Sequence, residues 1–239
     1  MIIAIDGPAG AGKSTIAKLV AQRLSMIYID TGAMYRAFTY ELIKNSVSVD
    51  DLNAVLTTLE NTNIDFKDNK ILINNEDVSD KIRSKEVTSK VSEVSAIMEV
   101  RVKLVSMQRS IANKKDSVLD GRDIGTVVFP FADLKIYLTA SVNVRAVRRY
   151  NEIAPYDKSA DIREIEKSIE QRDFYDSNRE VSPLKKADDA FEIDTSNLTI
   201  NEVVENILEL TKEIFDNEFV WISYRNTKTN FLYPIQNRN

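Results

Sequence analysis

An octapeptide near the start of the chain constrains its fold more than any other feature. Gly7-Pro8-Ala9-Gly10-Ala11-Gly12-Lys13-Ser14 fits the pattern G-x-x-x-x-G-K-[ST]. It lies between a short apolar run, Ile2-Ile3-Ala4-Ile5, and a helical stripe of Ile16, Ala17, Val20, Ala21 and Leu24. The run suits a parallel strand buried on both faces, and the stripe suits an amphipathic helix. Strand, glycine loop and helix in that order form a phosphate cradle. Glycines let successive backbone N–H groups turn toward phosphate oxygens, and the helix adds the positive end of its dipole. Lys13 supplies a point charge for the outer phosphates, and the Ser14 hydroxyl is placed to ligate Mg²⁺. The ligand class is therefore a nucleoside triphosphate. A plain glycine-rich turn is the alternative, but glycine is scarce here. All six glycines of the 239 residues fall in three places: Gly7, Gly10 and Gly12, then Gly32, then Gly121 and Gly125. Glycine is used where backbone bends unusually or approaches a ligand closely, so these three places are the candidate site.

Two residue types are missing, and their absence excludes much chemistry. With no cysteine and no histidine, there is no disulfide framework, Cys/His zinc site, thiol nucleophile or Ser-His-Asp triad. Any general acid or base must be Asp, Glu, Lys or Tyr. Lys and Arg number 32 against 37 Asp and Glu, a net charge of −5. No global positive field draws in nucleic acid or an anionic membrane. No apolar run reaches the ~18 residues of a membrane span, and Asp6 ends the first run too early for a signal peptide. The expected location is the cytoplasm, and nothing demands more than a monomer.

Along the chain, strands alternate with helices, as in a parallel α/β sheet. Met26–Ile29, Ser117–Leu119, residues 134–139 and residues 190–194 read as further strands. Gly32–Lys44, residues 86–112, 142–152 and 161–178 read as helices, with Pro155 in the last break. Ile64 and Phe66, then Ile71 and Ile73, alternate around Asp68-Asn69, so a small β-hairpin is inserted at about residues 60–85. Thr199 with Glu202 makes a capping box for a final helix carrying Val203, Val204, Ile207, Leu208 and Ile214. The segment 216–239, with Phe219, Trp221, Tyr224, Phe231 and Tyr233, reads as an appendage that packs on the body or on a partner.

The other two glycine places each carry arginine. Asp30-Thr31-Gly32-Ala33-Met34-Tyr35-Arg36 follows the second strand, and Asp120-Gly121-Arg122-Asp123-Ile124-Gly125 follows the third. Both fall at the carboxyl edge of a parallel sheet, where ligands bind. Arginine matches phosphate oxygens with paired hydrogen bonds. Arg172, Asp176 and Arg179 are spaced i, i+4, i+7 on one helix face. A solvated ion-pair face would look the same, but beside the other motifs a second phosphorylated ligand is the better reading.

Four segments, DGPAGAGKST, YIDTGAMYR, DGRDIGTVVFP and RDFYDSNREVSPLKKADDAFEIDTS, resemble bacterial-type cytidylate kinases in order and spacing over residues 1–215. The resemblance implies a P-loop α/β fold in three layers: a central parallel sheet, a hairpin-containing insert on the monophosphate side, and a short helical lid at about residues 141–160. It implies transfer of the γ-phosphate of ATP to CMP or dCMP with Mg²⁺. Gly7, Pro8, Ala9, Gly10, Ala11, Gly12, Lys13, Ser14 and Thr15 would then hold ATP, with Arg145, Arg148 and Arg149 on the lid. Arg36, Arg122 and Arg179 would hold the CMP phosphate, beside Asp30, Thr31 and Tyr35. Ser92, Arg101 and Asp123 would read the cytosine edge, and Arg172 and Asp176 would bind the sugar. Lys13, Arg122, Arg179 and Arg36 would carry the catalysis. Ser92 and Arg101 are nine residues apart, about two and a half turns, so on one straight helix they face opposite ways. Both reach one base only if the helix breaks between them. Relatives often have proline at the place of Met98, and a break is predicted here all the same. Two other readings compete: another nucleotide or small-metabolite kinase on this fold, and a GTPase-type switch, since Asn113-Lys114-Lys115-Asp116 matches the guanine-reading N-K-x-D. That tetrapeptide precedes the third strand rather than following a later one, so it reads as a solvated helix end.

Overall fold

The computed structural model describes residues 1–67 and 70–227, with backbone only at Lys67 and from 215 onward. The N-terminal apolar run forms β1 (Ile2–Asp6), and the glycine loop leads from it into α1 (Lys13–Arg23). Next, β2 (Ile27–Asp30) runs directly into α2 (Thr31–Lys44). The Asp30 carboxylate caps that helix by accepting the Ala33 N–H at 2.7 Å, as an N-cap aspartate does. A helix that the hydrophobic pattern did not reveal, α3 (Leu52–Glu60), follows, capped by Asp51. It was missed because only Val55 and Leu59 are buried, too few for a clear stripe.

The insert contains β3 (Ile64–Lys67), β4 (Lys70–Ile73) and a third, two-residue strand, β5 (Glu76–Asp77), in an antiparallel sheet. The expected turn residues Asp68-Asn69 lie outside the described residues. The long helical stretch is two helices, α4 (Lys85–Ala96) and α5 (Met98–Ala112), separated by Ile97 at φ −68°, ψ 119°. The predicted break is therefore present, with Met98 opening the second helix. The chain continues through β6 (Ser117–Gly121), a short wide helical turn at Ile124–Val128, β7 (Leu134–Thr139), α6 (Val142–Ile153), α7 (Ile162–Asn178) and β8 (Phe191–Asp194). Last comes α8 (Ile200–Thr227). The Thr199–Glu202 capping box forms reciprocally, at 2.8 Å and 3.3 Å. The helix passes residue 216 without a break; the side chains of Phe219, Trp221 and Tyr224, and residues Phe231 and Tyr233, lie outside the described set.

The main sheet is parallel throughout, in the order β2-β6-β1-β7-β8. Along β1 the side chains alternate between two cores, as a strand requires. Ile3 and Ile5 face a cluster with Ile16, Val20, Val204 and Ile207 from α1 and α8. Ala4 faces the other way, with Ile29, Val105, Leu119 and Ile124. This is the expected three-layer α/β arrangement. A further core of Phe38, Leu42, Val55, Ile71, Val94 and Leu104 fastens the insert to α2, α4 and α5. Asp6 is in register with Gly121 across the two central strands, so the loops that follow β1 and β6 open side by side at the carboxyl edge. Among the described residues, no helix is long and apolar enough to cross a membrane.

Candidate active site

The glycine loop is held closely against the sheet. A Cβ at Gly7, φ 146°, would lie 2.0 Å from the Leu138 carbonyl oxygen, so only glycine fits there. Gly12 takes a left-handed φ of 86° as the cap of α1. The buried Lys13 ammonium donates to the Pro8 carbonyl at 2.6 Å. Burial, with Arg122 next in weight, drives its pKa well below the usual lysine range, and Asp120 opposes them. The Ser14 hydroxyl donates to Asp120 Oδ2 at 2.8 Å, and Tyr28 donates to Asp120 Oδ1 at 2.9 Å. Burial and nearby Asp30 push the Asp120 carboxyl upward, against Lys13.

Beside the loop, three arginines each lie near a carboxylate. Arg36 pairs with Asp30 at 2.9 Å, and Arg122 with Asp176 at 3.0 Å. Arg172 Nε lies 3.9 Å from the same Asp176, beyond hydrogen-bond range. Burial, and then repulsion from Arg122, lower the Arg172 pKa to about 10; Arg36 adds to the repulsion and Asp176 offsets it. Lys13 is depressed by both Arg122 and Arg172. Arg122 and Arg172 thus converge on one carboxylate, Asp176. Arg36 Nε and Arg172 Nε are buried without a hydrogen-bond partner. Unpaired buried donors are costly and call for an acceptor.

A second cluster is built around Asp123, the residue after Arg122. Arg101 is ion-paired to Asp123, and both are buried. Arg101 also donates to the Ser95 carbonyl at 3.0 Å and stands over the Tyr35 ring, 5.3 Å from its centroid. Burial pushes the Tyr35 phenol up to about 12, against the opposing charge of Arg101. Arg179 reaches Ser95 Oγ at 3.4 Å and Ser182 O at 2.7 Å, and its Nη2 lies 3.8 Å from Asp123. Ser95 Oγ donates in turn to the Ser92 carbonyl at 3.0 Å. The break at Ile97 thus folds the Ser92 turn toward Arg101. Arg101 Nε and Arg179 Nη2 also lack hydrogen-bond partners.

The family model described as "Cytidylate kinase" matches residues 3–213. The chain belongs to the cytidylate kinase family. It is 50% identical over 214 residues to "Cytidylate kinase" of Fusobacterium nucleatum subsp. nucleatum, covering 90% of this chain and 98% of that one. It is 51% identical over 217 residues to "Cytidylate kinase" of Lactobacillus johnsonii, covering 89% and 94%. The protein is accordingly a nucleoside monophosphate kinase, and the reading as a GTPase switch has no support. Asn113 ends α5, and the Asp116 carbonyl accepts the Ile27 N–H at 3.0 Å, so the N-K-x-D segment serves as a helix end and strand join.

In this kinase the three arginines of α6, Arg145, Arg148 and Arg149, have different surroundings. Arg145 is buried; it donates to Ala9 O at 2.8 Å and Ala140 O at 2.9 Å, and pairs with Asp173. Arg148 donates to Thr195 O at 2.6 Å. Arg149 pairs at the surface with Glu152, 2.9 Å away, so only Arg145 is joined to the loop by a hydrogen bond. Thr31 Oγ1 donates to the Asp120 carbonyl at 2.7 Å, tying the start of α2 to the end of β6.

Sequence reasoning missed three residues. Asp6, the last residue of β1, accepts the N–H groups of Ile124 at 2.8 Å and Gly125 at 2.7 Å, fixing the turn after Arg122-Asp123. Burial raises its pKa to about 7, even though those two hydrogen bonds favour the charged form. Ser95 joins Arg101 and Arg179. Asp173 accepts the Ala9 N–H at 3.0 Å. Of these, only Asp6 carried a usable signal: it is a charge at the end of an otherwise apolar buried strand, directly before the loop.

Proposed function

We propose that this enzyme transfers the γ-phosphoryl group of ATP in line to CMP and dCMP, acting as a cytoplasmic monomer on free nucleotides. The observation that carries the reading is the convergence of Arg122 and Arg172 on Asp176, with buried Arg36 and Arg172 guanidinium nitrogens that lack hydrogen-bond partners. Two polyanions must be brought together there. At ~4 Å, two unit charges repel by about 4 kcal/mol at an effective dielectric of 20. A ring of fixed cations offsets this repulsion and stabilises the charge spread over the transferring group. The acceptor oxygen of a nucleoside monophosphate is already anionic near neutral pH. No imidazole or other strong base is needed, which suits a chain without histidine.

On this reading residues 7–15 hold the ATP phosphates, and Arg36, Arg122 and Arg179 hold the CMP phosphate. Arg172 and Asp176 bind the sugar, and Arg172 adds charge to the phosphate pocket. Asp123 accepts from the cytosine amino group while Arg101 donates to the ring acceptors, with Ser92 beside them. The adjoining Ser14 hydroxyl and Asp120 carboxylate suit Mg²⁺, which takes one or two protein oxygens and completes its shell with phosphate and water. Bound there, Mg²⁺ would supply charge neutralisation between the outer phosphates. α6 with the loop to α7 excludes water from the reacting phosphates, as lids do. A turnover panel of CMP, dCMP, UMP, AMP and GMP tests the assignment. CMP and dCMP should lead, and a clear preference for AMP would overturn it.

A further inference from the structure

α7 presents more than the stripe of Arg172, Asp176 and Arg179. Asp173 is one residue off that stripe, about 100° around the helix, and it meets the other half of the site. Its Oδ1 accepts the Ala9 N–H at 3.0 Å, and its Oδ2 is paired with Arg145 Nη1. The same Nη1 donates to the Ala9 carbonyl at 2.8 Å, and Arg145 Nε donates to the Ala140 carbonyl at 2.9 Å. Asp173, Arg145 and the Ala9 peptide therefore form a closed ring. The Arg145 side chain is 5% exposed and that of Asp173 18%, so the ring is partly shielded from water, and charge-assisted bonds are strong there. A Cβ at Gly10 would lie 3.1 Å from Arg145 Cβ, so the loop is also packed against this arginine.

We infer that Asp173 is a positioning residue for the ATP side of the site. A loop with glycine at positions 7, 10 and 12 has little intrinsic rigidity. The carboxylate holds the front of that loop by one peptide and orients the lid arginine with its other oxygen. A simple staple between α6 and α7 would need only Arg145 and Asp173; the two bonds to Ala9 extend the contact to the loop itself. Because Arg172 is the adjacent residue, one helix braces both halves of the site, yet loss of Asp173 should be felt by one substrate only.

The inference rests on the reading of residues 7–15 as the ATP loop, and the test separates the two. Asp173→Asn and Asp173→Glu are compared with Arg145→Met and with the Asp173→Asn/Arg145→Met double variant, all in the full chain. Asp173→Asn should raise KM for ATP about tenfold, the worth of one charge-assisted hydrogen bond, and leave KM for CMP within about twofold. Arg145→Met should do the same, and the double variant should add little, since both break one ring. Asp173→Glu keeps the charge but displaces it, and should give a smaller rise in KM for ATP. That variant also carries the test if Asp173→Asn does not fold. Equal rises in both KM values, an unchanged KM for ATP, or fully additive effects in the double variant would overturn the inference. If the wild type phosphorylates no monophosphate, the functional reading fails instead. Asp173 is then tested by affinity for a non-hydrolysable ATP analogue, which should fall about tenfold in Asp173→Asn; unchanged affinity would overturn the inference.

Discussion

On the proposed reading, the donor side of the site is made chiefly from nine consecutive residues, Gly7–Thr15, whose chemistry is mostly backbone. The acceptor side is then made from side chains on separate elements: Arg36 on α2, Arg101 on α5, Arg122 after β6, and Arg172 and Arg179 on or at the end of α7. The donor loop needs room and unusual dihedrals, which glycine supplies. The acceptor pocket needs several like charges close together, and the fold holds them by matching carboxylates to arginines: Asp30 to Arg36, Asp123 to Arg101 and Asp176 to Arg122. Lys13 belongs to the loop, and the charges of Arg122 and Arg172 help to lower its pKa, so on the proposed reading the halves meet at this ammonium. Removing a cation at the meeting point should therefore have the largest effect on the reaction. Lys13→Ala and Arg122→Ala are each expected to lower turnover on the order of 10³-fold, about 4 kcal/mol of transition-state stabilisation. A coupled steady-state assay reads this directly. Near-normal turnover in both variants would mean that the two halves do not share a reacting group.

This difference in construction also decided what the sequence made legible. The phosphate loop, the strands of the parallel sheet and the capping box are local patterns, and each formed where expected. Arg36, Arg122, Arg172 and Arg179 were visible because each stands in a short motif, whereas Arg101 came only from the family resemblance. Their partners were less so: Ser95 meets Arg179 across 84 positions of chain, and Asp173 meets Ala9 across 164. Such pairings depend on how elements pack, which periodicity does not encode. α3 escaped notice for the related reason that it buries only two residues. The break at Ile97 was foreseeable only because Ser92 and Arg101 were assigned to one base. No proline or glycine marks it.

The next effect concerns the buried pair Arg101–Asp123. If the acceptor side keeps this pair for recognition, it adds little to stability. Asp123→Leu alone leaves a buried, uncompensated guanidinium and should cost about 3 kcal/mol of folding stability. Adding Arg101→Met should recover most of that loss, because well-packed apolar groups often replace a buried pair at no cost. Turnover of CMP should stay low in both variants. Denaturant unfolding beside the turnover assay separates the two properties. Recovery of CMP turnover in the double variant would show that the pair serves packing alone.

Asp6 joins the two sides: it ends β1 just before the donor loop and holds the turn behind Arg122-Asp123. Its carboxyl titrates near 7 in the folded chain, far above the value of a free aspartate. Between about pH 4 and pH 7 the folded state therefore keeps a proton that the unfolded state has lost, and this group's contribution to stability falls as pH rises. Asp6→Asn removes that titration. Across this window the stability difference should move in favour of the variant by about 2 kcal/mol, below the full shift implied by burial. Unfolding at pH 4.5, 5.5 and 6.5 measures it. Movement toward the wild type with rising pH would mean that the Ile124 and Gly125 N–H groups outweigh burial and hold the carboxylate ionised.

The smallest expected effect tests why the acceptor side can bring Ser92 and Arg101 together at all. Ile97 is already extended, at φ −68°, ψ 119°, the conformation that a following proline favours. Met98 is the first residue of α5 and is 57% exposed. Proline is well tolerated at that helical position, where the N–H has no partner within the helix. Met98→Pro should therefore stabilise the fold by about 0.5 kcal/mol, mainly by restricting the unfolded chain, with KM for CMP unchanged. A melting curve and the CMP titration are sufficient to check it. If the break is set by the packing of Val94, Val100 and Leu104 into the insert core, proline only reinforces it. A loss of stability or a weaker KM would show instead that the junction needs the Met98 N–H or its flexibility, and that the acceptor pocket depends on a helix joint free to move.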